Sequence, residues 1–156
     1  MKSREEKSGS LLPCVKLLWA VLGFAALTTG CMSASEPVEK AASQMLVGTH
    51  WRLTQLGDEI VDNPAGERDV HFVLQGTDLL VSGNAGCNRM FGRYALKGDA
   101  IKFDQMGGTR MFCEARMELE QKFLGMFGEV SGWRITGNTL QLLDGAGKAV
   151  GTFEAE

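Results

Sequence analysis

The chain has 156 residues, a formal net charge of −3, 44% hydrophobic side chains and four cysteines. That length suits one domain with its own core and is short for two. Sixteen basic side chains scattered among nineteen acidic ones form no basic stripe, which argues against nucleic-acid binding and against polybasic attachment to anionic lipid.

Lys2, Arg4, Lys7 and Lys16 stand against Glu5 and Glu6, and an uncharged run follows from Leu17 to Gly30. A basic segment, a short apolar core and a small-residue cleavage site are the three parts of a secretory signal. The run falls short of the roughly 20 apolar residues that a spanning helix needs. Leu27-Thr28-Thr29-Gly30-Cys31 narrows the reading to a lipoprotein signal. The Cys31 thiol would carry diacylglycerol and cleavage would follow Gly30. Several acyl chains, at about 0.8 kcal/mol per buried methylene, then hold the chain on a bilayer. Leu27 stands one position further from the cysteine than is usual. Met32 fills the place where aspartate would mark inner-membrane retention. The expectation is a signal peptide over residues 1–30 and a lipid anchor at Cys31 in the outer membrane, facing the periplasm.

Cleavage would remove four basic and two acidic side chains, leaving a more acidic chain from Cys31 to Glu156. Residues 31–46 are small and polar and read as a flexible tether; the folded domain is expected over 47–156. Cys14 would leave with the signal and Cys31 would be consumed by lipid. Cys87 and Cys113 remain, an even pair in an oxidising compartment. A disulfide between them would close a loop of about 27 residues, worth on the order of 3–4 kcal/mol. Neither cysteine has a histidine beside it and no Cys-x-x-Cys is present, so no metal is assigned to the pair.

Along the domain, Trp51 and Leu53 share one face of a predicted strand, with Arg52 and Thr54 on the other. Val70, Phe72 and Leu74 oppose His71 and Gln75. Ile101 and Phe103 oppose Lys102 and Asp104; Trp133 and Ile135 oppose Arg134 and Thr136; Leu140 and Leu142 oppose Gln141. Period-two alternation of this kind belongs to antiparallel strands with one face buried. Turn signals separate them at Asn63–Gly66, Gln75–Asp78, Gly83–Gly86, Lys97–Asp99, Gly107–Gly108, Gly137–Asn138 and Asp144–Gly147,. The segment from Glu114 to Val130 differs. Leu119, Phe123, Met126 and Val130, with Phe127 alongside, form a helical stripe. Glu114 and Glu118 sit where the helix dipole favours carboxylates, and Gly125 and Gly128 weaken its far end. The expected fold is mainly β: a strongly curved, barrel-like antiparallel sheet with one helix covering an opening. A flatter α+β sandwich is the alternative.

No catalytic constellation emerges. The Gly83–Asn88 run lacks the Gly-Lys-Ser/Thr ending of a phosphate loop. Gly83 and Gly86 are expected to supply positive φ, and Asn84 and Asn88 to hydrogen-bond the local backbone. Ser82 lacks a nucleophile elbow. His50 and His71 have no motif marking a base and read as solvent-facing or locally bonded. Glu118 and Glu120 read as a solvated helix face. Met90, Met106, Met111, Met117 and Met126 read as core filling rather than a copper(I) site. Arg89, Arg93 and Arg110 flank the two cysteines and would make a basic spot on an acidic domain if a bridge drew them together; ordinary surface ion pairing is the plainer reading.

Four stretches carry a family resemblance: Gly48-Thr49-His50-Trp51-Arg52-Leu53, the run Ser82 to Tyr94 containing Gly86-Cys87-Asn88, the run Thr109 to Cys113, and Glu120 with Phe123 before a closing Leu140-Gln141-Leu142. Together they resemble the META domain of the HslJ-like bacterial lipoproteins, over about Gly48 to Phe153. The resemblance implies an antiparallel, barrel-like sheet with one helix, an envelope lipoprotein with heat-shock association, and no established catalytic site, cofactor or metal. The resulting expectation is a monomeric, non-enzymatic interaction module for envelope stress tolerance, held to the membrane at Cys31 and meeting another envelope protein. The alternatives are a periplasmic protease inhibitor presenting Gly83–Asn88, or a carrier of a small hydrophobic ligand.

Overall fold

The computed structural model describes residues 45–63 and 69–156. The signal peptide, the lipidation site Cys31, the tether up to residue 44 and most of the Asn63–Gly66 turn lie outside the described residues. Among the described residues there are nine strands: β1 Trp51–Leu56, β2 Glu59–Ile60, β3 His71–Gln75, β4 Leu80–Asn84, β5 Arg89–Lys97, β6 Ala100–Gly108, β7 Gly132–Thr136, β8 Thr139–Leu143 and β9 Ala149–Ala155. One helix, α1 (Met117–Met126), lies between β6 and β7.

All pairings are antiparallel. From β3 onward each strand pairs with its successor, and β9 returns to β1 from Trp51↔Ala155 to Leu56↔Gly151. The sheet therefore runs round into a ring-like arrangement, as the strongly curved reading expected, rather than a flat sandwich. Such closure removes long open edges. The thinnest junction is β6 to β7, paired only at Ala100↔Gly132.

Alternation decides what faces inward. Trp51, Leu53, Phe72, Leu74, Ile101, Trp133, Leu140, Leu142 and Phe153 are all buried. Phe72 meets three rings edge-on, those of Phe103, Phe127 and Phe153, at centroid distances of 6.3, 5.8 and 4.9 Å. Such pairs add about 0.5–1.5 kcal/mol each beyond burial. The Trp51 indole N–H donates to Leu46 O at 2.9 Å, fixing the chain entering β1.

The helix is shorter than its apolar stripe suggested. Glu114–Arg116 is a turn, α1 ends at Met126, and Gly128 N bonds back to Gly125 O. Phe123 and Phe127 nonetheless reach the interior cluster. Gly107 and Gly108, read as a turn, instead end β6. A Cβ at Gly108 would lie 2.8 Å from Arg89 O, so the glycine permits a close strand approach.

Candidate functional site

Cys87 and Cys113 are bonded to each other, with Cα atoms 5.9 Å apart. The bridge joins the link between β4 and β5 to the segment between β6 and α1. Beside it sits Asn88, only 1% exposed, and every polar atom it has is used. Its backbone N–H donates to Glu120 Oε2 at 2.9 Å, and its carbonyl accepts from Ala85 N at 2.8 Å. The side-chain Nδ2 donates to Glu120 Oε1 (2.9 Å) and to Met111 O (3.0 Å). The side-chain Oδ1 accepts from Met111 N (2.8 Å) and Thr109 Oγ1 (2.7 Å). Burial of these groups is tolerated because each has a partner.

Glu120 therefore does not belong to a solvated helix face. It is 6% exposed and holds α1 to the start of β5. Glu118 is solvated; its carboxyl is held below the ordinary range chiefly by a hydrogen bond from Lys122 and then by that side chain's charge. The sequence carried one usable signal for Glu120, since it stands one turn before Phe123 on the buried stripe.

Together the bridge and the Asn88–Glu120 network clamp the segment Thr109–Cys113, and the clamp leaves two large apolar side chains in solvent. Phe112 is 81% exposed and Met111 60% exposed, which corrects Met111 as a core-filling residue. Met90 and Met126 are core. On β5, Arg89, Phe91 and Arg93 alternate with buried Met90 and Gly92 and face outward. Arg89 N bonds to Thr109 Oγ1 at 3.2 Å, so this row begins beside the clamped segment and its Arg110. A surface cleft of about 600 Å³ opens at the bridge, lined by Asn84, Cys87, Met111, Cys113, Glu114 and Arg116 among others.

The Gly83–Asn88 run is not an exposed loop. Ala85, Gly86, Cys87 and Asn88 are buried, which removes it as an inhibitor's presented segment. Gly86 takes a φ of +111° and Asn84 Oδ1 accepts from its N–H at 2.7 Å, as expected of a tight turn. Gly83 serves otherwise: it is a strand residue whose Cβ would lie 2.1 Å from His71 O. Asn88 bonds across the molecule rather than only locally. The ring interior, where a carried ligand would sit, is filled by Trp51, Phe72, Phe123, Phe127 and Phe153.

Ser82 Oγ accepts from Gln75 Nε2 at 2.9 Å. His50 and His71 lie elsewhere, stacked with centroids 4.0 Å apart. Both point at one carboxylate: His50 Nε2 is 2.8 Å from Asp69 Oδ2, and His71 Nδ1 is 3.2 Å from Asp69 Oδ1. Sequence reading treated the two histidines separately and missed Asp69.

Comparison with known proteins bears on this arrangement. The family model of the META domain matches residues 44–156. A solved NMR structure of a protein from Burkholderia xenovorans is 28% identical, covering 74% of this chain and 87% of that one, with a TM-score of 0.59. A second NMR structure, 22% identical, covers 71% of this chain and 92% of that one at a TM-score of 0.56 and shows likeness of fold. No curated protein matches.

Proposed function

The chain belongs to the META domain family, and from that premise we propose that it is a lipid-anchored, non-enzymatic interaction module of the bacterial envelope. Its anchor is Cys31 in the outer membrane, facing the periplasm, and its task is to meet another envelope protein in stress tolerance. The observation that carries this reading is Phe112, 81% exposed on a segment that a disulfide and a buried polar network hold still. A fixed, exposed aromatic loses little freedom when covered, which is why such residues anchor interfaces. Arg89, Phe91 and Arg93 on the outer face of β5, with Arg110 and Met111 beside Phe112, are of residue types enriched at interface centres,. The arginines on an acidic chain favour a partner with carboxylates around an apolar pocket. The leader's three-part pattern and Thr28-Thr29-Gly30-Cys31 support the anchor.

Two measurements test this. Cys31→Ser should block maturation and release the protein from membranes; a variant that still fractionates with the outer membrane overturns the anchor. A photo-cross-linking residue at position 112 should trap a discrete envelope protein, and one at exposed Asn138 should not. Equal trapping at both positions, or none at 112, overturns the interaction surface.

A further inference from the structure

We propose that His50, Asp69, His71 and Glu156 form a binding site for a divalent cation of the zinc class. It lies on the outside of the ring where β1 and β3 begin and β9 ends. Arg52 pairs with His71 across β1 and β3, and with Glu154 across β1 and β9. His50 and Glu156, each two residues further along, fall on the same outward face as these, and Glu156 N bonds to His50 O at 3.0 Å. Asp69, two residues before His71, shares its face. His71 opens β3, and His50, Asp69 and Glu156 stand one or two residues outside β1, β3 and β9, close to the strand pairings that fix them.

The donor atoms are already gathered. One ligand atom each from His50, Asp69 and His71 lies within 4.8 Å of the other two, and Glu156 Oε2 is 3.8 Å from His50 Nε2. Bonds of about 2.0–2.1 Å to a tetrahedral zinc put neighbouring ligand atoms about 3.3 Å apart. Movements of up to about 1.5 Å bring the atoms of His50, Asp69 and His71 to that spacing, and Glu156 Oε2 approaches His50 Nε2 by about 0.5 Å,. Two carboxylates neutralise a divalent charge. Arg52, which now pairs with Glu156 at 2.6 Å, keeps Glu154 at 3.0 Å when Glu156 turns to the metal.

The chemistry of the donors selects the ion. Two imidazoles disfavour calcium and magnesium, which take oxygen. The absence of sulfur among the four disfavours copper(I). Two nitrogens and two oxygens suit zinc. Without metal, His50 Nε2 and His71 Nδ1 face the Asp69 carboxylate and carry the N–H that each donates to it. With zinc bound, the ring protons sit on His50 Nδ1 and His71 Nε2, leaving His50 Nε2 and His71 Nδ1 free to coordinate. Nothing in the sequence pattern announced this. His50 and His71 carry no ligand-motif spacing, and only strand pairing brings them together.

The test uses the protein purified from membranes in detergent and stripped with chelator. Titration with zinc should show one saturable site per chain. His50→Ala and His71→Ala should each weaken it by more than the roughly 10–100-fold that loss of an outer partner costs, and calcium should not compete. Long-range proton–nitrogen NMR of the unaltered chain should move His50 Nε2 and His71 Nδ1 on zinc addition, a readout that needs no variant to fold. No saturable zinc binding, an affinity in either alanine variant unchanged from that of the unaltered chain, or unmoved ring nitrogens would each overturn the site.

Discussion

Glu120 and Asp69 are carboxyl side chains buried to nearly the same degree, 6% and 3% exposed, yet their surroundings differ in kind. Glu120 is met by the backbone N–H and side-chain amide of Asn88, groups that neither titrate nor move. Asp69 is met by two imidazoles whose side chains are 34% and 20% exposed, groups that change tautomer and reach water. Equal burial thus serves two ends. Around Glu120 it fixes one conformation, because any change strands a buried donor. Around Asp69 it leaves a carboxylate whose partners are exchangeable, which suits a site that a cation enters.

The comparison is most exposed to failure at Asn88. Asn88→Ala removes the amide from Met111 N, Met111 O, Thr109 Oγ1 and Glu120 Oε1 together. At about 1–3 kcal/mol for each buried group left unpaired, with some relaxation, a loss of about 3–4 kcal/mol is expected in urea unfolding. A loss below about 1 kcal/mol would show that water replaces the amide, and the clamp would be no more rigid than the histidine cluster. Removing the bridge attacks the same region through the unfolded chain. Cys87→Ser with Cys113→Ser should cost about 3 kcal/mol, by loop-closure entropy over a sequence separation of 26,. Reduction of the unaltered protein should lower the urea midpoint by as much as the double substitution does.

The two regions also differ in how far the sequence disclosed them. Alternation in β1, β3, β7 and β8 placed Trp51, Phe72, Trp133 and Leu142 inside, because a half-buried strand writes its burial in a period of two. The paired cysteines were legible from parity, two remaining once Cys14 and Cys31 are assigned to the expected leader and anchor. Glu120 was legible only through its place one turn before Phe123, since a glutamate among Glu118, Gln121 and Lys122 otherwise looks like any wet helix face. Its burial is set by Asn88, 32 residues earlier, and no local pattern records a partner that distant. The histidine cluster was hidden for the same reason: it depends on register between β1, β3 and β9, and each residue alone reads as the polar side of a strand. Gly107 and Gly108 misled in the opposite direction, as turn residues by composition that serve close strand contact.

Asp69→Ala sharpens the contrast from the other side. It strips His50 of its acceptor and leaves His71 Nδ1 only the Asp69 backbone carbonyl at 3.2 Å, but the imidazoles reach solvent. The expected cost is about 1 kcal/mol, near the net worth of an ordinary hydrogen bond rather than of a stranded buried group. Zinc binding should be lost in the same variant. A cost equal to that of Asn88→Ala would mean that the cluster is structural, with no exchangeable character.

Phe112→Ala should have the smallest effect on the fold and a decisive one on recognition. The ring is largely in solvent and has no partner in the core cluster, so unfolding free energy should change by no more than about 0.5 kcal/mol. The clamp beneath it is untouched, and Met111 N and O keep Asn88. If Phe112 anchors a partner, its truncation should weaken that complex by about 2 kcal/mol or more, roughly 30-fold in Kd. Stability and recognition then separate at one residue, which is the property expected of a side chain that a rigid network displays but does not need. An unfolding loss of several kcal/mol would instead place the ring inside the fold, and the clamp would be holding Phe112 for packing rather than for display.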